Sequence, residues 1–540
     1  MDFFQDNWWR MWRIMTILLF VVLPGCMVGP DFRSPAPPQV DSYTASPLPE
    51  KTVSTPAAGA AGKAQDYQVA TPPPVAVPAP AKSIATRYGA PPPPPPLSRA
   101  IPAEWWRLYH SQALNDLITH GLANSPTLTA AQAALRQAQE TLNAQVGVTY
   151  YPSVTGALSG QRERFGGSSF GNTIPSSIFN VFNVAVNVSY VLDVFGAERR
   201  QIEALRAQVN YQQYELIATY LTLTTNIVTT AITVASLEEQ VKATEALIVA
   251  VEGQLSIIEK QFRLGGVAKT NVLTQQTLVA QTRATLPPLE KSLAQSRHAL
   301  AVLVGEFPNK TLPSIALNSF SLPQALPVTL PSDLVRQRPD IQAAEALLHA
   351  ASAQVGVATA NLFPQITLSG DYGGTSSLPA TLLSSGNRVW DYGAQLSAPI
   401  FQGGSLLAKR RAAIASFDQA AAQYRQAVLQ AFQNVADTLR ALEMDAKTLH
   451  AQQAAETSAH RALILSQDQY RLGGVSYLTL LTAQQQYQQT VLGRIQAQAA
   501  RYADTAALFQ ALGGGWWNQT SIPNSIPNSS NGEQASNKKP

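Results

Sequence analysis

The sequence predicts an α+β protein that runs one plan twice, alternating long helical hairpins with short antiparallel strands. Three observations carry that reading. The septet Gln261-Phe262-Arg263-Leu264-Gly265-Gly266-Val267 returns as Gln469-Tyr470-Arg471-Leu472-Gly473-Gly474-Val475, roughly 208 positions on, a spacing longer than any solenoid period. Each copy lies between a very long polar-apolar run and a shorter one, where the chain must reverse. After Tyr151-Pro152 and again after Phe363-Pro364, the apolar period changes from helical to two.

Composition bounds the chain first. Of 540 residues only 13% are charged, about half the usual globular share, while 45% are hydrophobic and the formal charge is +4. No clustered basic stripe suggests nucleic acid, and one cysteine excludes a disulfide framework or a multi-cysteine zinc site. Beyond the N-terminus no run reads as long and apolar enough for a membrane-spanning helix, so any crossing falls to strands.

In chain order, Arg10 and Arg13 precede the apolar run Ile14 to Leu23 and then Pro24-Gly25-Cys26, the layout of a signal peptide over 1–25. Cys26 falls where cleavage would leave it first, similar to a bacterial lipobox cysteine that is acylated; Met27 follows it in place of an inner-membrane retention aspartate. From Ser34 to Pro102 neither period is present, and Pro72-Pro73-Pro74 and Pro91 to Pro96 favour polyproline II, so 26–102 reads as a lipid-anchored N-terminus with a flexible insert.

The first repeat is expected over 103–305, a linker over 306–331, the second repeat over 332–515 and a disordered tail over 516–540. Leu122 to Val148 and Leu334 to Phe363 read as helices. Ala144 to Val148 matches Ala353 to Val357, Arg199-Arg200 matches Arg410-Arg411, and Gly305 matches Gly514. From Asn180 to Asp193, Phe182, Val184, Val186, Val188, Tyr190 and Leu192 share one face. The second copy gives Trp390, Tyr392, Ala394, Leu396, Ala398 and Ile400. Weaker strands precede them at Val154 to Leu158 and Ile366 to Gly370. Such alternation fits barrel strands in a membrane and equally a soluble antiparallel sheet. Four strands cannot close a barrel, so a membrane reading requires an oligomer; three chains would supply twelve.

Between Arg200 and Phe262, and from Leu406 to Tyr470, no proline interrupts the helical pattern, and such lengths are coiled-coil material. Each glycine pair would end a helix in left-handed backbone and turn the chain. The first returning helix carries Pro287-Pro288, where its hydrogen-bond ladder should break; the second, Tyr477 to Ala511, has no such interruption.

At this point the residues resemble a family, the outer membrane factors of TolC/OprM type, in particular the NodT-type lipoproteins of RND efflux systems. The resemblance rests on Cys26 to Phe32, Trp105 to Leu108, Asn124 to Leu128, Tyr151-Pro152 and Leu192 to Gly196. It continues through Arg336 to Ile341, Phe363-Pro364, Pro399 to Gly404 and both Arg-Leu-Gly-Gly-Val tips. It implies a homotrimer whose strands form one twelve-stranded outer membrane β-barrel, continued by a periplasmic α-helical barrel with an equatorial region. The tips Arg263, Leu264, Gly265, Gly266, Val267 and Arg471, Leu472, Gly473, Gly474, Val475 would meet a periplasmic adaptor that joins the duct to an inner membrane RND transporter. By position, the pore constriction falls on Leu478 and Thr482, with Tyr470 in the tether zone and Lys269, Asn271 and Thr274 in the matching first-half segment. Relatives often place aspartate where Thr482 stands. A gate without carboxylates should prefer cations less.

No catalytic constellation is visible. The six histidines are scattered singly, without metal-ligand spacing, and neither Gly265-Gly266 nor Gly403-Gly404 continues into a phosphate loop. The sequence therefore points to a non-enzyme without cofactors or metals: a passive efflux duct in the outer membrane, extending into the periplasm. The alternatives are the exit duct of a type I protein secretion system and, in another class, a coiled-coil tethering lipoprotein with a soluble sheet.

Overall fold

The computed structural model describes residues 27–38, 42–43, 51–52, 67–70, 101–165, 177–322, 325–327, 334 and 336–518. The expected signal peptide, Cys26 and most of the proline-rich insert lie outside them. The helices are α1 (Gln112–Asn124), α2 (Pro126–Tyr150), α3 (Ala197–Arg263), α4 (Lys269–Leu303), α5 (Pro339–Ala360), α6 (Ser405–Arg471) and α7 (Tyr477–Ala511). Two compact units emerge, one from Met1–Ala36, Gln132–Tyr214 and Gln342–Ala427, the other from Pro37–Ala131, Glu215–Ile341 and Val428–Pro540.

The first unit carries an antiparallel sheet in sequential order: β1 (Ser153–Phe165), β2 (Ser177–Leu192), β3 (Gln365–Ser376) and β4 (Arg388–Ser397). Each repeat supplies one hairpin, and β2 joins β3 with Ser189 opposite Ser369. The register holds one residue parity on each face. Thr155, Asn187, Asp371 and Asp391 form a polar row, whereas Val186, Tyr372 and Trp390 form an apolar one. That apolar face is uncovered: Leu158 is 78% exposed, Tyr392 79% and Leu396 67%. A soluble sheet would bury such a face under a second layer. β1 runs well past the expected Leu158 because Gln161 to Phe165 pair with Val181 to Ser177; their charged residues look like loop in the sequence.

Arg200, in the first turn of α3, is 1% exposed and clamps the chain that follows Cys26. Its guanidinium donates to the Val28 and Gly29 carbonyls at 3.3 and 3.4 Å and to the Asp31 and Glu203 carboxylates at 2.7 Å each. Space explains Gly356, since a Cβ there would lie 2.8 Å from the Arg200 Cδ. Gly147, its counterpart in the repeat, has nothing within 4 Å. Phe32 stacks on His349 with centroids 4.3 Å apart. Asp193 accepts from the Glu198 and Arg199 N–H groups, capping the start of α3.

The core of the second unit is aromatic. Trp105 stacks on Phe509 at 5.3 Å, the Tyr109 hydroxyl donates to the Tyr502 carbonyl at 2.7 Å, and Tyr502 donates to Phe320 O at 3.0 Å. Structure continues past the expected end: Trp516 Nε1 donates to Gln337 O at 2.8 Å and Asn518 Nδ2 to Ile101 O at 2.6 Å. Within the insert, Lys51–Thr52 pairs with Tyr67–Ala70, which lies parallel to Ala325–Pro327, so a small sheet forms where no strand period was legible.

Several expectations need correction. The helix expected over Leu122 to Val148 is two helices, because Ser125 caps the second through Leu128 N and Pro126 opens it. α5 ends at Ala360, short of Phe363. α4 runs unbroken through Pro287 and Pro288. The two lost donors orphan the carbonyls of residues 283 and 284, both exposed, where water can satisfy them. Both α3 and α6 have 67 residues, so Ala197 stands opposite Ser405 and Arg263 opposite Arg471. In that alignment Arg199-Arg200 matches Leu407-Ala408 rather than Arg410-Arg411. Gly305 likewise matches Gly513: their N–H groups donate to Val302 O and Gln510 O. Finally, α3 contains one stretch long and apolar enough to pass for a membrane span. It is 56% buried, with Ile227, Val228, Ala231, Ile232 and Ala235 at 1% exposure or less, so its apolar residues pack within the second unit.

Candidate functional site: the hairpin tips and the face behind them

Both tips lie in the second unit and share one backbone solution. At the first, Gly265 N donates to Phe262 O at 2.9 Å and Gly266 N to Gln261 O at 2.8 Å; at the second, Gly473 N reaches Tyr470 O at 3.0 Å and Gly474 N reaches Gln469 O at 2.8 Å. This is the Schellman ending, which satisfies the last helix carbonyls. Only the first glycine of each pair is left-handed, at φ +74° and +77°. The second needs no such freedom, a correction to the expectation for the pair. Leu264 and Leu472 crown the turns at 87% exposure each, while Val267 and Val475 turn partly inward.

Charge separates the tips. Arg471 has Asp468 one turn back at 3.5 Å. At the equivalent position Arg263 has Lys260, and Lys269 follows the turn; among the described residues none of these three cations is in an ion pair. Glu259, the nearby carboxylate, is engaged by Gln276 Nε2 at 3.5 Å. The first tip is basic and the second neutral. Ser476 caps α7 by accepting from Thr479 N, whereas Ala268 at the start of α4 offers no side-chain cap.

The predicted gate residues divide into two sets. Leu478 and Thr482 lie four apart on an exposed face of α7, and Thr274 holds the position of Thr482 in the first repeat. Both hydroxyls bend back to their own helices, Thr482 to Leu478 O at 3.0 Å and Thr274 to Thr270 O at 2.9 Å. Lys269 is exposed and Asn271 half-buried. Around them the exposed residues are Thr270, Leu273, Gln276, Thr479, Gln485 and Gln486, with no carboxylate. Tyr470 belongs instead to an internal cluster, packed against Tyr477 at 5.6 Å.

That cluster is the element the sequence did not disclose. Val251, Ile258, Val272, Leu278 and Val279 of the first hairpin bury Tyr477 and Leu481 of the second. Within it the Tyr477 hydroxyl donates to Gln275 Oε1, and Gln275 Nε2, on a fully buried side chain, donates to Val251 O at 2.7 Å. Burial raises the hydroxyl pKa of both Tyr477 and Tyr470, so the lock is uncharged at any physiological pH. The available signal was a glutamine inside the apolar stripe Val272, Gln275, Leu278, Val279, which pattern alone cannot distinguish from a surface residue. No group of His, Cys, Asp and Glu side chains that could hold a metal ion occurs among the described residues.

Comparison with known proteins agrees with this architecture. The family model described as outer membrane efflux protein matches residues 117–306 and 330–514, one match per repeat. The pyoverdine export outer membrane protein OpmQ of Pseudomonas aeruginosa is 31% identical over 419 residues, spanning 76% of this chain and 87% of that protein. The toluene efflux pump outer membrane protein TtgC of Pseudomonas putida is 30% identical over 423 residues, 78% of this chain and 87% of its own. Among solved structures, the outer-membrane channel OprN superposes with a TM-score of 0.76 at 26% identity, covering 91% of this chain and all of that one. The duplicated match, the four-stranded sheet and the paired helical hairpins identify the chain as a member of the outer membrane efflux protein family, which comprises channels rather than enzymes.

Proposed function

We propose that this chain is the exit duct of a tripartite RND-type export assembly, a homotrimer that passes small toxic or antibiotic molecules passively through the outer membrane. The observation that carries the reading is the sheet of the first unit. Its apolar face is bare, its other face is polar, and β1 and β4 have no further partner among the described residues. In lipid an open edge costs several kcal/mol per unpaired group, so the sheet needs copies of itself, and three give a closed barrel of twelve strands. The names of OpmQ and TtgC point to export of a pyoverdine and of toluene, and small organic compounds are the class proposed here.

In this reading the paired tips, with Leu264 and Leu472 fully offered to solvent, receive the helical hairpins of a periplasmic adaptor, and the inner membrane transporter supplies energy and selection. Leu478, Thr482, Lys269, Asn271 and Thr274 line the gate, tethered by Tyr470. Cys26 carries the acyl anchor, and the clamp by Arg200 on Val28, Gly29 and Asp31 supports it, because it fixes the chain directly after that cysteine. The test is outer membrane fractionation, a heat-modifiable trimer on gels, and export by Leu264→Asp/Leu472→Asp. Export undiminished in a correctly assembled variant would remove the docking assignment.

A further inference from the structure

The sheet sorts its charges by sign. Directly paired residues of β1 to β4 share one parity, so odd-numbered side chains stand on the polar face and even-numbered ones on the apolar face. The charged residues of the four strands are Arg162, Glu163, Arg164, Asp371, Arg388 and Asp391. All the carboxylates fall on the polar face and all the guanidinium groups on the apolar one. The three arginines are exposed, and none is in an ion pair among the described residues. A cation on a lipid-facing surface is costly at mid-membrane and tolerable only near the interface, so its height on the strand decides what it can do.

That height is the same on both edges of the sheet. Arg162 lies nine residues from Ser153, the helix-side end of β1, and Arg388 opens β4, nine residues from Ser397 at its helix-side end. At about 3.3 Å per residue this is roughly 30 Å of strand, or about 23 Å of height at a tilt near 40°. It reaches the outer limit of an apolar band about 25 Å tall, and Arg164 lies further out. Aromatic rings mark the same boundary. Trp390 and Tyr392 stack at 5.7 Å just inside Arg388, and Phe182 lies over Gly160 just inside Arg162, where a Cβ would meet the ring at 3.1 Å. Such rings settle at headgroup level.

We propose that Arg162, Arg164 and Arg388 bind the phosphate groups of lipopolysaccharide in the outer leaflet, with Trp390 and Tyr392 packed where its acyl chains meet its sugars. This rests on the membrane reading above and adds a lipid site to it. The loop ends of the strands point away from the helices, which that reading puts in the periplasm, so the leaflet reached is the outer one. Its phosphates belong to the glycolipid. A guanidinium is suited to them, because its planar fork takes phosphate oxygens two at a time and it sheds water readily. Arg162 and Arg164 project from one face about 6.5–7 Å apart along the strand, close enough for both to engage a single headgroup. The carboxylates are kept off this face, so nothing there repels the phosphate.

The test uses the full chain purified from outer membranes in detergent, titrated with lipid and read by native mass spectrometry. The probes are lipopolysaccharide, the same glycolipid stripped of its lipid A phosphates, and phosphatidylglycerol. The parent should hold lipopolysaccharide at least about tenfold more tightly than either other probe. Arg162→Gln/Arg164→Gln/Arg388→Gln should abolish that advantage. Glu163→Gln changes charge beside the same arginines but on the polar face, and should keep it. The stripped probe tests the parent itself, so the outcome does not hang on how the triple variant folds. Equal binding of the stripped and phosphorylated glycolipids, or an undiminished advantage in the triple variant, overturns the site: the arginines then only reach for water. Phosphatidylglycerol bound as tightly as lipopolysaccharide overturns the glycolipid assignment. All of these leave the trimer standing if it migrates heat-modifiably. A chain absent from the outer membrane fraction removes the membrane reading and the site together.

Discussion

Tyr477→Phe is the most informative single change, because it removes one hydroxyl and keeps the ring. The ring continues to fill the cluster formed with Val251, Ile258, Val272 and Leu481. What is lost is the donor to Gln275 Oε1, on a side chain that is 0% exposed and that no water reaches without opening the seam. Leaving a buried acceptor unpaired costs about 1–3 kcal/mol, equivalent to roughly a 5- to 150-fold rise in local opening. The assay is native-state hydrogen exchange of the assembled protein in detergent, followed over the first turns of α7 and α4. Protection there should fall by that factor while the Trp105–Phe509 core stays unchanged. Gln275→Leu/Tyr477→Phe replaces both partners with apolar groups and should recover most of the protection. The reasoning fails if Tyr477→Phe exchanges as slowly as the parent, or if the double variant is as loose as the single.

Three further outcomes follow from the same geometry. In asymmetric potassium chloride the channel should show weak ion preference, since the exposed α4 and α7 residues beside Thr274 and Thr482 include no carboxylate and Glu259 is engaged by Gln276; Thr482→Asp should move the reversal potential toward cations. Burial and a hydrogen bond shared with Asp504 push the Asp445 carboxyl up to about 7, against the pull of Arg501. Because the folded group holds its proton above its unfolded value of about 4, the pair costs stability as pH rises through that window. Asp445→Asn should stabilise by about 1–2 kcal/mol at pH 8, allowing for partial exposure, and by less at pH 5, read from thermal melts. Finally, Lys260→Asp gives Arg263 the partner that Arg471 already has. Crosslinking of an adaptor from Ala268→Cys should then fall, while crosslinking from Ser476→Cys holds; equal effects at both tips would show that the charge difference is idle.

What the sequence disclosed and what it hid divide by the range of the interaction. Periodicity and the absence of proline located α3 and α6 to within a few residues, and α7 at Tyr477 to Ala511 as expected. Those features are local. Gly265 and Gly473 were legible as helix ends because a left-handed residue there needs glycine. By contrast, the full length of β1 depends on a partner strand that begins at Ser177, and no local signal in Gln161 to Arg164 reports it. Arg200 looked like half of a repeated pair of arginines at a helix start, and its burial depends on Gly29 and Gly356, far away in the chain. Pro287-Pro288 was overread: a missing rung breaks a helix only where the freed carbonyls cannot find water.

Duplication alone would yield two identical hairpins, and the departures from identity follow a direction. The second return helix gains a serine cap, places Tyr477 where the first has Lys269, and sends that ring into the apolar seam of the first hairpin. The first has Lys260, Arg263 and Lys269 around its turn, none in an ion pair among the described residues, and keeps a glutamine buried to receive the tyrosine. Each change is of little use without the other: a buried Gln275 lacking the hydroxyl is an unsatisfied group, and a buried tyrosine lacking an acceptor is equally costly. The two halves have therefore diverged as a complementary pair. In a ring built from three chains, such a pair makes the seam within a chain chemically different from the seam between chains. The seam within a chain is closed by an uncharged bond from Tyr477 to Gln275 that burial keeps protonated, so its strength rests on packing rather than on charge.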